Sequence, residues 1–537
     1  MNNPDTNWIE STLRDMTLEQ KVGHLLMPWV REMDADKWAG EVERHQFGSL
    51  FISPGEPEAT RKFLEAMQAK VSIPLLIAAD IESGYRIAFP PQMGCAAGSG
   101  PAEMRRRGRL LARTARAVGV HWTFSPVIDL ALNHNNPETQ TRAYGEDPET
   151  VARMAAAYIE GVQADGRMAA TAKHFPGAGL DDRDQHLCTT MMPLDFAEWE
   201  QNYGRVWKAA IASGVMTVMS GHIAFPAYEG RADAPLDALP ATLSLKLQND
   251  LLREHLCFQG VIVSDAAPMI GISSRVPSRE KALANILAGG DIFLFAEAET
   301  DAPAIFEAVH SGKLSMERLD ASVRRILTLK AQLGIQQDAF GPQPSEVEIH
   351  DGTTFAQEVA DRSITVFRND GAFPVVPQPG ANVLSVRIFW KDSKKDGSFF
   401  ATVTEELRKR GLEVDELDNP THTQLIEAAS RYDRIFLNIH HQMHSIMGTP
   451  RLIGHMVMSF WRGFWVDYPG KIVCTSFGSP YVFYELPHLP NMIAAWGVSP
   501  ASQRAAVKVW LGEIEVTGRC PVRIPYINES PKASARH

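Results

Sequence analysis

Residues 169–179 read Ala-Ala-Thr-Ala-Lys-His-Phe-Pro-Gly-Ala-Gly: an apolar run that ends on a cation and an imidazole, then breaks into a Pro/Gly turn. Seven other short runs rich in Val, Ile, Leu and Phe lie around it, at 22–27, 48–53, 74–80, 121–126, 217–222, 260–265 and 291–296. Stretches with helical periodicity separate them, among them 149–165, 196–213 and 243–255. Continuous apolar runs alternating with amphipathic helices predict parallel strands that are covered on their outer face. Eight such units within about 300 residues predict a (β/α)8, TIM-like barrel rather than an open sheet.

Past the barrel the pattern breaks. Residues 336–353, QQDAFGPQPSEVEIHDGT, are polar, contain Gly and Pro, and carry no helical stripe. The predicted division is a barrel over 1–340, a linker over 341–353 and a second domain over 354–537. Apolar runs return at 383–390, 434–439, 471–477 and 492–496, with helical stretches at 400–410 and 503–510. They predict an α/β sandwich domain with a largely parallel sheet.

Composition narrows the class. The chain has 537 residues, 53 Lys plus Arg against 64 Asp plus Glu, and a net charge of −11. An acidic chain gains nothing from neutralising phosphates, which argues against a nucleic-acid partner and an anionic membrane surface. No apolar run approaches the roughly 20 residues needed to span a bilayer, and the first residues resemble no secretory leader. Five cysteines stand scattered, without metal-ligand or disulfide-framework spacing. The expectation is a soluble cytoplasmic protein with no metal and no cofactor. His440, His441 and His444 follow a strand but lack a partner Asp or Cys at metal-binding spacing.

The chemistry is concentrated at strand ends. Asp80, Lys173, His174, His222 and Asp265 all stand where an apolar run stops. In a parallel barrel those ends surround one mouth. The loop that follows residue 179 carries Asp181, Asp182, Asp184 and His186. Asp184 stands two residues before His186, close enough to orient its ring for general acid/base work. The run Gly260-Val261-Ile262-Val263-Ser264-Asp265 delivers a carboxylate that could attack an anomeric carbon. A helix N-cap is the alternative role for Asp265.

These stretches resemble glycoside hydrolase family 3, and within it the two-domain β-N-acetylglucosaminidase branch. Residues 173–179 resemble its K-H-F-P-G-H-G motif, 184–186 its D-S/T-H, and 260–265 its G-V-[IV]-V-S-D strand. Asp80-Ile81-Glu82-Ser83-Gly84 is similar to D-x-E-G-G, and 142–148 to R-S-F-G-x-D-P. Pro240-Ala241-Thr242-Leu243-Ser244 matches P-A-T-L-S, and two stretches of the second domain, 476–481 and 518–522, extend the likeness. The resemblance implies a retaining hydrolase that removes a non-reducing-end N-acetyl-β-hexosamine from small glycosides such as peptidoglycan fragments. It implies Asp265 as nucleophile, His186 as acid/base oriented by Asp184, and Asp80, Arg142, Lys173 and His174 as sugar-binding residues. A β-glucosidase or β-xylosidase, a phosphorolytic variant and a non-catalytic sugar-binding protein are the rival readings. The sequence departs from the family pattern at Ala178, Ala266 and Ala88.

Overall fold

A computed structural model describes residues 5–378, 380–390, 397–441 and 451–528. The chain divides into two compact units. The first holds residues 1–86, 101–130 and 148–349.

Its barrel strands are β1 (Leu26–Met27 with Trp29–Val30), β2 (Ser49–Ile52), β3 (Leu76–Ala79), β4 (Trp122–Thr123), β5 (Ala169–Phe175), β6 (Thr217–Ser220), β7 (Val261–Ser264) and β8 (Phe293–Leu294). Each pairs in parallel with the next. The ring closes through Leu26↔Phe293 between β1 and β8 and the parallel bridge Val263↔Ile292 after β7. Every residue of β2, β3, β5, β6 and β7 is buried, which is why these strands read as unbroken apolar runs. The predicted barrel is therefore the observed one, with a difference in the first unit. Residues Leu18–His24 form a helix that takes the first half of the run at 22–27. Thr17 and Gln20 start it with a reciprocal capping box, and the strand begins only at Leu26.

The second unit holds residues 87–100, 131–147 and 350–537. Its strands are β9 (Thr365–Asn369), β10 (Asn382–Phe389), β11 (Glu413–Asp418), β12 (Arg434–His440), β13 (Ile472–Ser476) and β14 (Asn491–Ala494). They form one sheet in the order β9-β14-β13-β12-β10-β11. Only β9 runs antiparallel to its neighbour. Alternate residues face opposite layers: Ile435, Leu437 and Ile439 pack with Leu425 and Ala428, whereas Phe436 packs with Ala505 and Trp510. This is an α/β sandwich with both faces of the sheet covered.

The boundary differs from the expected one in two ways. Residues 87–100 and 131–147, expected in the barrel, cluster with the second unit, where Met93, Ala97, Ala131 and Ala143 bury against Trp496, Val522 and Ile524. The expected linker at 341–353 is helical from Glu346, within a helix over Glu346–Ser363. Its first two turns are largely exposed and so show no apolar stripe. The overlooked start signal was Ser345 with Glu348, whose side chains cap each other's backbone N–H. Of the His440–His444 cluster, residues 442–444 lie outside the described residues. His440 Nδ1 lies 3.1 Å from the Phe477 carbonyl oxygen. Among the described residues, no helix is long and apolar enough to cross a membrane.

One buried cation in the barrel unit makes its stability depend on pH. Lys330 is fully buried, with Nζ 3.0 Å from His24 Nε2, and burial pulls its pKa down to about 7. An unfolded lysine keeps its proton to about pH 10.4. The fold therefore carries the whole cost of burying this charge below pH 7, and less of it as pH rises towards the unfolded value. Lys330→Met is expected to stabilise the protein by about 1–4 kcal/mol, with a larger gain in Tm at pH 6 than at pH 9. Equal gains at both pH values would show that Lys330 does not titrate in the folded state.

Candidate active site

The carboxyl ends of β3, β5, β6 and β7 carry Asp80, Lys173, His174, His222 and Asp265 to one end of the barrel. Lys173 is 3% exposed, and its ammonium lies 3.2 Å from Asp80 Oδ1 and 2.8 Å from Glu82 Oε1. A cation this buried needs such partners. Glu82 stood in the quoted turn at 80–84 but was not singled out as a site residue.

Asp129 was missed as well, and it organises the turn after β5. Its side chain is 1% exposed. Oδ2 lies 2.7 Å from His174 Nδ1, while Oδ1 accepts from His174 N at 3.1 Å and Ala178 N at 2.7 Å. The carboxylate therefore fixes the orientation of the His174 ring through its Nδ1. Its only sequence signal is an Asp shortly after a barrel strand. Ala178, which replaces the family histidine, acts here through its backbone: its carbonyl also accepts from Tyr203 Oη at 2.9 Å.

A second Asp–His pair stands in the following loop. His186 Nδ1 lies 2.6 Å from Asp184 Oδ1, and the same oxygen accepts from His186 N at 2.8 Å. The Asp184 side chain is fully buried, whereas His186 is 26% exposed. A partly exposed ring oriented through one nitrogen by a buried carboxylate suits proton exchange with a ligand.

Asp265 directly follows β7 and is partly buried. Burial pushes its pKa up, but the neighbouring His174 and His222 rings, the Ala266 N–H and the Lys173 ammonium outweigh it and hold the carboxyl below its ordinary value. It is thus an anion at neutral pH. Burial also lowers the pKa of His222, which lies between Thr242 Oγ1 at 2.8 Å and the Ala266 carbonyl at 3.0 Å. At Ala266 the backbone does the binding: its N–H donates to Asp265 Oδ1 at 2.7 Å.

The two loops are tied together. Ile270 N donates to His186 O at 3.2 Å, Gly271 N to Gln185 O at 3.0 Å, and Thr189 Oγ1 to Gly271 O at 2.7 Å. His222 N donates to Gln185 Oε1 at 2.6 Å. Hence the segment after Asp265 sets the height of the segment that carries His186. The barrel unit brings together Asp80, Lys173, His174, Asp184, His186 and Asp265. Arg142 lies in the second unit, within 131–147, where its N–H donates to Thr139 O at 2.6 Å.

A parallel barrel that gathers a carboxylate and an Asp–His pair at the carboxyl ends of its strands has the architecture of a (β/α)8 enzyme. Residues 17–329 match the Glycosyl hydrolase family 3 N terminal domain. The chain belongs to glycoside hydrolase family 3. It is 31% identical to a "Beta-N-acetylglucosaminidase/beta-glucosidase" of Cellulomonas fimi, over 96% of this chain and 95% of that protein. Among solved structures it is similar to "Beta-glucoside phosphorylase BglX bound to 2FGlc", with TM-score 0.88 and 31% identity over 97% of this chain and 96% of the other. It is also similar to a family 3 β-N-acetylglucosaminidase from Paenibacillus sp. str. FPU-7, with TM-score 0.82 and 26% identity over 95% and 99%.

The close approach of the two loops requires glycine at position 271. A Cβ there would stand 2.7 Å from His222 Cβ and 2.8 Å from Gln185 O. Gly271→Ala is expected to push the His186 loop away and to lower kcat by about tenfold or more, measured on any glycoside that the wild type cleaves. Wild-type kcat in this variant would show that the tie does not position His186.

Proposed function

We propose that the protein is a retaining β-glycosidase that removes one sugar from the non-reducing end of small glycosides, with an N-acetyl-β-hexosamine as that sugar. The observation that carries this reading is the Asp184–His186 pair, held by backbone hydrogen bonds to the segment that begins at Asp265. In the first step Asp265 attacks the anomeric carbon and forms a glycosyl ester. The glycosidic C–O bond breaks, and His186 gives its proton to the departing oxygen. In the second step His186 accepts a proton from water, the new oxygen bonds to the anomeric carbon, and the ester to Asp265 breaks. Asp184 keeps the ring turned so that one nitrogen faces the reaction. Lys173, Asp80 and His174 would bind hydroxyls of the sugar held before Asp265, and Arg142 is assigned the same task. Family motifs and the curated relative's name support hexosamine. That same name includes β-glucosidase, so the glucoside is the close alternative.

A second reading rests on the likeness to a β-glucoside phosphorylase. After the first step His186 is neutral. A neutral imidazole repels a phosphate acceptor less than a second carboxylate would. Phosphate would then attack the ester in place of water and release a sugar 1-phosphate.

Assays with p-nitrophenyl N-acetyl-β-glucosaminide, β-glucoside and β-xyloside, with and without phosphate, separate these readings. Asp265→Asn is expected to lose about 10³-fold or more in kcat; full activity would remove the nucleophile assignment. His186→Ala is expected to lose about 10²–10⁴-fold on p-nitrophenyl substrates, with a smaller loss on a 2,4-dinitrophenyl glycoside, whose leaving group needs no proton. A 31P signal for sugar 1-phosphate identifies phosphorolysis, and free sugar alone identifies hydrolysis. Because the Asp265 carboxyl lies below its ordinary value, kcat/KM should not fall through its ionisation until the pH drops below about 4. No turnover of any of these substrates would sink the enzymatic reading.

A further inference from the structure

No helix or strand covers residues 176–189, yet this stretch carries the Asp184–His186 pair. A segment without a backbone ladder keeps its shape through ties made by side chains. Three buried aromatic residues hold its root. Trp199 Nε1 and Trp207 Nε1 each donate to Pro176 O at 3.0 Å, and Tyr203 Oη donates to Ala178 O. They stand at every fourth position along Phe196–Trp199, the π-helical turn Glu200–Gly204 and Arg205–Ala212. These bonds fix the chain as far as Ala178, and the proton-transfer pair lies further on.

Two adjacent carboxylates in that next stretch differ sharply. Asp182 is exposed, whereas the side chain of Asp181 is 11% exposed. Asp181 Oδ1 accepts from Arg183 N and from Arg183 Nε, both at 2.9 Å. Its Oδ2 accepts from Arg183 Nη2 at 2.5 Å and from Met191 N at 2.7 Å. Met191 is itself anchored, because Thr190–Met191 pairs in parallel with Ile223–Ala224, directly after His222. One carboxylate thus joins the start of the loop at 181 to its end at 191. Asp184 and His186 lie inside the ring so closed. Within it, Asp184 O accepts from Leu187 N at 2.9 Å and Cys188 N at 3.0 Å, which bends the chain tightly around the pair.

Burial pushes the pKa of Asp181 up, but the Arg183 side chain and the backbone N–H groups of Arg183 and Met191 outweigh it. They hold the carboxyl below its ordinary value, so the closing group is an anion at neutral pH. Each of its oxygens serves a different backbone N–H. An amide would offer one acceptor oxygen in place of two.

We propose that Asp181 is a positioning residue for the proton transfer: its carboxylate closes the loop over 181–191 and so keeps the Asp184–His186 pair aligned with the departing oxygen. It acts through the backbone of Arg183 and Met191, not on the substrate. The proposal rests on His186 being the acid, and the test separates the two. Phenoxide is a poor leaving group that needs a proton, whereas 2,4-dinitrophenoxide leaves without one. The measurement is the ratio of kcat/KM for the phenyl to that for the 2,4-dinitrophenyl β-glycoside of a sugar that the wild type cleaves, in buffer with phosphate. A smaller folded fraction lowers both values together and leaves their ratio unchanged.

Asp181→Ala is expected to lower this ratio by about tenfold. Asp181→Asn keeps one of the two acceptors and is expected to lower it by about threefold. If Asp181→Ala does not fold, Asp181→Asn carries the test. Asp182→Ala, one residue along on an exposed side chain, is expected to leave the ratio at the wild-type value. An unchanged ratio in the folded Asp181 variants, where His186→Ala does lower it, overturns the proposal alone. An equal drop in Asp182→Ala also overturns it, since any change in the loop would then act alike. An unchanged ratio in His186→Ala overturns the acid assignment, and the proposal with it.

Discussion

Two short parallel contacts, Leu26 with Phe293 and Val263 with Ile292, close the sheet of the first unit into a ring. All else in that unit depends on this closure. A closed parallel barrel has no edge strands, and all of its carboxyl ends point the same way. Residues as far apart in sequence as Asp80 and Asp265 therefore reach one mouth. The closure also places the ends of β1 and β8 beside the end of β7.

The mouth is a place where charges are buried, and each is buried with company. Lys173 sits between two carboxylates, Asp129 accepts three hydrogen bonds, and Asp184 is covered while its histidine stays partly open. Removing one partner would leave the other charge stranded in a dry site, which costs more than the pair contributes when intact. The same rule explains Asp291 at the other end of β8. It is fully buried, with Arg253 2.7 Å from Oδ2 and Arg325 3.0 Å from Oδ1. One set of pairs keeps the ring intact, and the other orders the site.

How much of this was legible follows from burial. Strands covered on both faces, such as Ala169–Phe175, read as unbroken apolar runs and were found. The two edge strands were not. Glu413–Asp418 buries only Val414, and Thr365–Asn369 buries only Thr365. An edge strand keeps one side in water, so its sequence carries little apolar signal. Likewise, the exposed first turns of the helix at Glu346–Ser363 looked like a linker, and segments 87–100 and 131–147 were assigned to the barrel by sequence order alone. Asp184, His186 and Asp265 were legible because each lies within a run whose spacing suggests a role. Asp129 and Glu82 were not, because their partners His174 and Lys173 stand far away along the chain.

The sequence by itself determined the order of strands and helices and the residue types at each strand end, since the pattern of apolar burial is written locally. Only the tertiary structure decided which carboxylate meets which base. His174 lies 45 residues from Asp129, and Lys173 lies 93 residues from Asp80. Those pairings arise from the register between neighbouring strands and from closure of the ring, and no local pattern encodes either.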